Sequence, residues 1–213
     1  MRYYPIYLDL KGRDVLVVGG GAIAEGKALQ LMEAGARVTV VSPELTEALR
    51  AAADRGEIKH LIGSVAEGDL NGAFLVISAT DDRKVNEMVA RAARARGTLC
   101  NVVDQPDLCD FITPALVTRG ELQISVSTGG GSPTLTQRVK REVAAMIGEE
   151  YGVLLEIAAE MRAEAKDRIA DFELRKEALR SFVESGALDL IRAGRREEAR
   201  VLARRFLQDV QAQ

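Results

Sequence analysis

The chain has 213 residues, of which 47% are apolar and 29% charged, and its formal net charge is −3. That length allows one large domain or two small ones with a buried core. The charge balance argues against a general nucleic-acid binder, and no apolar run approaches the roughly 18 residues of a membrane span. Two cysteines, Cys100 and Cys109, make no disulfide framework, and with the single His60 they make no zinc site. The first residues, Met1 to Tyr7, lack the apolar core of a signal peptide. The expectation is a cytoplasmic protein without a metal site and without nucleic-acid or membrane partners.

In chain order, an apolar strand pattern over Asp14–Val18 runs into Gly19, Gly20 and Gly21. A helical pattern over Ile23–Ala34 follows at once, with Ala24, Ala28, Leu31 and Met32 on one face. The spacing is G-x-G-x-x-A on Gly19, Gly21 and Ala24. Gly19 permits the tight turn, Gly21 lets a pyrophosphate approach the backbone, and Ala24 lets the helix pack closely on the strand. Unpaired N–H groups and the positive dipole end at the helix start favour an anion. Further strands are expected over Arg37–Val41, Glu57–Ile62, Phe74–Ser78 and Thr98–Val103. Further helices are expected over Pro43–Arg55 and Asp82–Arg96, with Gly35 and Gly97 as stop signals. This alternation implies an α/β fold, a Rossmann-type parallel sheet with helices on its faces. His60 falls in a strand pattern and reads as structural.

The pattern then changes. Thr113–Ser127 reads as two strands turning at Arg119-Gly120, with Leu122, Ile124 and Val126 alternating with polar residues. An isolated hairpin is marginal, so a second copy of the chain is a natural partner. After the polar turn Ser127–Pro133, Ser132 reads as a helix N-cap with Pro133 at the first helical position. Residues 153–185 contain neither Gly nor Pro and read as amphipathic helix, and Gly186 and Gly194 punctuate two shorter helices. The expected division is a nucleotide-binding domain over 1–113, a small dimerisation segment over 114–147 and an all-helical C-terminal domain over 148–213. Their net charges are −3, +2 and −2, so only the middle segment is basic.

Three loops are expected to meet beyond the carboxyl ends of the strands, where ligands bind in such sheets. The first, Ser42-Pro43-Glu44, stands about 20 residues past the glycines, where an acidic residue holds the ribose hydroxyls of NAD. Glu44 can serve there, or it can be a first-turn helix residue favoured by the dipole. No arginine stands nearby for a 2′-phosphate, which favours NAD. The second loop, Ser78–Asp82, offers small polar residues, and Asp81 or Asp82 can cap the next helix. The third, Asn101–Pro106, carries Asp104. An aspartate before a proline-containing turn is a common turn former, and it is also a carboxylate placed to act as a general base.

Several motifs occur in one order: Pro5–Leu8, Val17–Lys27, Ala34–Val41, Ala79–Asp82, Asn101–Asp104, Phe111–Pro114 and Ser127–Pro133. Together they resemble the precorrin-2 dehydrogenase family, which includes the N-terminal module of sirohaem synthase and a yeast dehydrogenase–chelatase. The resemblance implies NAD-dependent oxidation of precorrin-2 to sirohydrochlorin, by an intertwined homodimer. It implies cofactor contacts at Gly19, Gly21, Ala22, Ile23, Pro43, Glu44, Thr80 and Asp81, and an acid–base role for Asp104. The substrate is rich in carboxylates, which Arg119, Arg138 and Lys140, beside Arg141, are candidates to meet. Some family members also insert ferrous iron into sirohydrochlorin, and Asp104 is implicated there too. Sirohaem synthases often carry Arg where this chain has Gly26, and a serine corresponds to Thr128. Two readings stand beside the dehydrogenase: a bifunctional dehydrogenase–ferrochelatase, and a dimeric nucleotide-sensing module without chemistry.

Overall fold

The computed structural model describes residues 2–211; the last two residues of the 148–213 segment lie outside the described residues. The chain divides into two compact units, 1–113 and 114–213.

In the first unit five strands form one parallel sheet: β1 (Asp14–Val18), β2 (Arg37–Ser42), β3 (Lys59–Ile62), β4 (Leu75–Ser78) and β5 (Leu99–Val102). Their order is β3-β2-β1-β4-β5. The chain winds outward from β1 in one direction and then restarts on its other side at β4. That reversal opens a crevice at the carboxyl ends of β1 and β4. Alternate side chains build the two cores. Val15, Val17, Val38, Val40 and Ile77 face α1 (Ala22–Glu33) and α2 (Glu47–Asp54). Leu16, Val18, Val76 and Cys100 face α3 (Arg83–Arg96), which presents Val89, Ala90 and Ala93. Gly97 ends α3 in the left-handed conformation, φ +69°.

Two boundaries of the first unit differ from the sequence expectation by more than one residue. α2 begins at Glu47 rather than at Pro43, because Thr46 is the cap and its hydroxyl accepts the Leu49 N–H. Residues 43–45 are thereby left in the loop over the sheet edge. β3 begins at Lys59, because the Glu57 N–H still donates to the Ala52 carbonyl at the end of α2.

The second unit opens with the antiparallel hairpin of β6 (Ala115–Arg119) and β7 (Leu122–Val126). α4 (Pro133–Met146) follows, with Ser132 as its N-cap and Pro133 in its first turn. Then come α5 (Glu150–Arg168), α6 (Phe172–Val183), α7 (Ala187–Arg192) and α8 (Arg196–Gln211). Leu154, Ile157, Met161, Phe182, Ile191 and Leu207 form their core. The single helix expected across 153–185 is two helices. Asp171 breaks it by accepting the N–H groups of Glu173 and Leu174, a cap that needs neither Gly nor Pro. At Gly152 the start of α5 lies against the backbone of Arg119, where a Cβ would stand 2.6 Å from the carbonyl oxygen. The hairpin and the helical part therefore pack as one unit.

Candidate functional site

The carboxyl edge of the five-stranded sheet gathers its loops through a chain of backbone contacts. Gly19 has φ +111°, and a Cβ there would collide with the Ala79 carbonyl, so the loops after β1 and β4 touch. Gly20 stands against the Glu44 carbonyl and 2.5 Å, measured from an ideal Cβ, from Ser42 Oγ, which ties in the loop after β2. The Val103 N–H donates to the Ser78 carbonyl at 2.9 Å, which ties in the loop after β5. Gly19, Gly21, Ala22, Ile23, Pro43, Glu44, Thr80, Asp81 and Asp104 all belong to these loops or to the first turn of α1.

The start of α1 has no side-chain cap. Gly21 is its N-cap, with an ordinary φ of −83°, and a Cβ built there meets nothing within 4 Å. The first N–H groups of the helix thus have neither an intrahelical acceptor nor a side-chain cap, and the space beside Gly21 is open. Ala24 is fully buried beneath them, while Ile23 is exposed. This combination of a bare helix start, a backbone cleared of side chains and a positive dipole end suits a pyrophosphate. The residues present fit a dinucleotide.

The loop after β2 is held from below. Ser42 Oγ donates to the Glu44 carbonyl at 2.5 Å, and His60 Nε2 lies 2.9 Å from the Ser42 carbonyl. Glu44 itself is exposed, and so is Pro43. In the loop after β4 the helix cap is Asp82, whose Oδ1 accepts the Lys84 and Val85 N–H groups. Asp81 is exposed beside it and takes no part in that cap. Asn86, fully buried, accepts from Ser78 Oγ at 2.7 Å and donates to the Thr80 carbonyl at 2.9 Å, which fixes the Thr80 backbone.

Asp104 follows β5 in an exposed turn with φ +58°, the sole positive φ on a non-glycine residue among the described residues. Aspartate enters this left-handed region more readily than most residues, and still at a cost. Around the turn, burial pushes the Cys100 thiol up to about 12, helped by Asp110 and Cys109.

The basic candidates of the second unit separate. Arg119 is not free to hold a ligand. Its guanidinium donates to the carbonyls of Ile147 (2.8 Å), Ala144 (2.9 Å) and Thr118 (2.8 Å), and Glu149 stands 3.4 Å away. It caps the end of α4, and its side chain is only 17% exposed. Arg138 is exposed and paired with Glu142 one turn on. Lys140, two residues along α4, points about 200° around the helix from Arg138. Arg138 and Lys140 thus lie on different sides of α4.

Three contributors were not evident from the sequence. Gly20 sits at a position that the G-x-G-x-x-A spacing leaves free, and only its closeness to Glu44 shows why a glycine stands there. Asn86 carried one signal, a polar amide in the first turn of an otherwise apolar-faced helix. Cys109 carried none, because its partners, mostly backbone groups, are brought round by the fold. Among the described residues no group of three or more His, Cys, Asp or Glu is placed to hold a metal ion. No helix there is long and apolar enough to cross a membrane.

Three family models match in sequence. One described as "Putative NAD(P)-binding" spans residues 6–115. "Sirohaem biosynthesis protein central" spans 119–146, and "Sirohaem synthase dimerisation region" spans 150–207. The word dimerisation thus falls on the helical part and not on the 114–147 segment. A sirohaem synthase of Nitrosococcus oceani is 40% identical over 199 residues, 93% of this chain and 42% of that protein. One from Methylobacillus flagellatus is 41% identical over 200 residues, 94% of this chain and 43% of that protein. The chain therefore spans less than half the length of the curated relatives it matches. Among solved structures, SirC, a precorrin-2 dehydrogenase, superposes with a TM-score of 0.80 at 29% identity, covering 99% of this chain and all of that one.

Proposed function

The chain belongs to the NAD(P)-binding family that includes the N-terminal module of sirohaem synthase, and on that premise we propose that it oxidises precorrin-2 to sirohydrochlorin with NAD. The observation that carries the reading is the joining of two features at one sheet edge. The bare start of α1 is bounded by Gly19, Gly20 and Gly21, and Asp104 stands in a left-handed turn one strand beyond β4. The cofactor, when bound, supplies a hydride acceptor. The chain's own residues do the rest. The first N–H groups of α1, from Gly21 through Ile23, hold the pyrophosphate. Glu44, presented by Pro43 and fixed through its carbonyl by Ser42, takes the ribose hydroxyls, and this supports NAD over NADP. Thr80 and Asp81 line the same crevice across from Gly19. Asp104 takes the proton released as a C–H of the substrate gives up its hydride, so the macrocycle loses two electrons and gains conjugation.

The division at 113/114 and 147/148 is part of this proposal, with the second unit as the pairing element of a homodimer. Two facts support it: α4 has no buried residue, and Leu116, Leu135 and Met146 are exposed. Arg138 and Lys140 remain the candidates for the substrate carboxylates, tested singly because they lie on different sides of α4. Both cysteines are free thiols, in keeping with a reducing cytoplasm.

The test is anaerobic incubation of precorrin-2 with the protein and NAD, followed by the absorption spectrum of sirohydrochlorin. The reading expects the product with NAD and much less with NADP. No cofactor-dependent product defeats it and leaves a nucleotide-sensing module. Ferrous ion consumed faster than the spontaneous rate, in the same assay, adds the chelatase.

A further inference from the structure

β5 is the last strand of its sheet, so the backbone groups of Cys100 and Val102 that point away from β4 have no strand to meet. The chain returns along this edge after the Asp104 turn and supplies them. The Asp110 N–H donates to the Cys100 carbonyl at 2.8 Å, and the Asp110 carboxylate accepts the Cys100 N–H at 3.0 Å. For Val102 a side chain does both tasks. Cys109 Sγ accepts the Val102 N–H at 3.2 Å and stands as donor 3.1 Å from the Val102 carbonyl. The same thiol lies 3.3 Å from the Gln105 carbonyl and 3.6 Å from Asn101 Nδ2. Its single proton is shared between the Val102 and Gln105 carbonyls while the sulfur accepts the Val102 N–H, so the thiol reaches both shoulders, 102 and 105, of the turn that holds Asp104. The backbone adds two bonds at these shoulders, Gln105 N–H to the Val102 carbonyl at 3.2 Å and Leu108 N–H to the Gln105 carbonyl at 3.0 Å. A left-handed aspartate does not stay in place unaided, because the conformation is an unfavourable one.

We propose that Cys109 is a positioning residue for Asp104: the thiol fixes the turn from both sides and so fixes where the carboxylate stands. The inference rests on the reading of Asp104 as the acid–base residue. Burial raises the Cys109 thiol, so the proton it donates stays on sulfur through neutral pH. Serine at 109 keeps a donor and an acceptor, and alanine keeps neither.

The experiment compares the full chain with its Cys109→Ser and Cys109→Ala variants. It reads kcat and KM for precorrin-2 oxidation with NAD, and amide exchange over residues 100–108. Alanine is expected to lower kcat about tenfold or more, as a misplaced catalytic group does. It should leave the NAD KM unchanged and speed exchange at Val102, and serine should recover most of both losses. An alanine variant with the kcat of the parent overturns the proposal, as does unchanged protection at Val102. Cys109→Val, which keeps the volume and drops the bonds, replaces alanine if that variant does not fold. If the parent chain itself forms no sirohydrochlorin, the dehydrogenase reading falls separately. The exchange data still decide the clasp: faster exchange at Val102 upholds it, and unchanged exchange removes it.

Discussion

Gly20 and Glu44 touch through their backbones: the Cβ of any side chain at Gly20 would fall on the Glu44 carbonyl oxygen. One residue on, a Cβ at Gly21 meets nothing in the chain. The two glycines therefore have different roles, one packing the loops together and one clearing space for a ligand. Gly20→Ala should cost about 1–3 kcal/mol in folding stability, as overpacking does, and weaken NAD binding as a consequence. Gly21→Ala should change stability by no more than about 0.5 kcal/mol and still weaken NAD binding roughly tenfold or more. Denaturant unfolding and calorimetric NAD titration on the two variants separate these roles. Equal stability losses would contradict the assignment.

Asp104 offers a cleaner separation of chemistry from folding. Asparagine tolerates the left-handed conformation about as well as aspartate does, so Asp104→Asn should fold with near-parental stability. Its kcat should fall by about 10²–10⁴ with the NAD KM unchanged, because the group lost is an acid–base catalyst. A variant with unchanged kcat would reduce Asp104 to a turn former.

How far these positions could be read from the chain itself depends on how local their cause is. The five strands and the glycine turn were legible because apolar runs and small residues at fixed offsets report directly on neighbours in sequence. The start of α2 was not, since Pro43 and Thr46 both suit a helix entry and only the Thr46 hydroxyl on the Leu49 N–H decides between them. The break before α6 hides in an Asp-Phe-Glu run that reads as continuous amphipathic helix until Asp171 is seen to cap it. Arg119 looked like a ligand-binding cation because charge is visible in sequence. The carbonyls of Ala144 and Ile147 that occupy it, some 25 residues away, are not. The clasp of Cys109 on Val102 and Gln105 belongs to the same class of cause.

The exposed apolar side chains of the second unit bear on its assembly. Leu135 is 49% exposed and Met146 69%, at either end of a 14-residue helix with no buried residue. Leu135→Glu combined with Met146→Glu should shift the protein from dimer to monomer in sedimentation velocity, since charges at a buried apolar patch leave unpaired ions. A double variant that stays dimeric would place the interface elsewhere.

Stability should also depend on alkali in a defined window. Burial raises the Cys100 thiol from its ordinary 9.0 to about 12. Between those values the unfolded chain gives up this proton while the folded chain keeps it, so stability falls as pH rises through the window. The contribution is fully present below pH 9. In Cys100→Val, the urea midpoint should decline less steeply between pH 9 and 11 than in the parent. Parallel slopes would show that another group carries the alkaline loss.

The most direct measurement is the stoichiometry of the reaction itself. Precorrin-2 and NAD are mixed with the protein without oxygen, and NADH and sirohydrochlorin are followed together. The two should appear in equal amounts, at a rate proportional to protein concentration and largely lost in Asp104→Asn. Sirohydrochlorin forming at the same rate without the protein, or without NADH, would contradict this expectation.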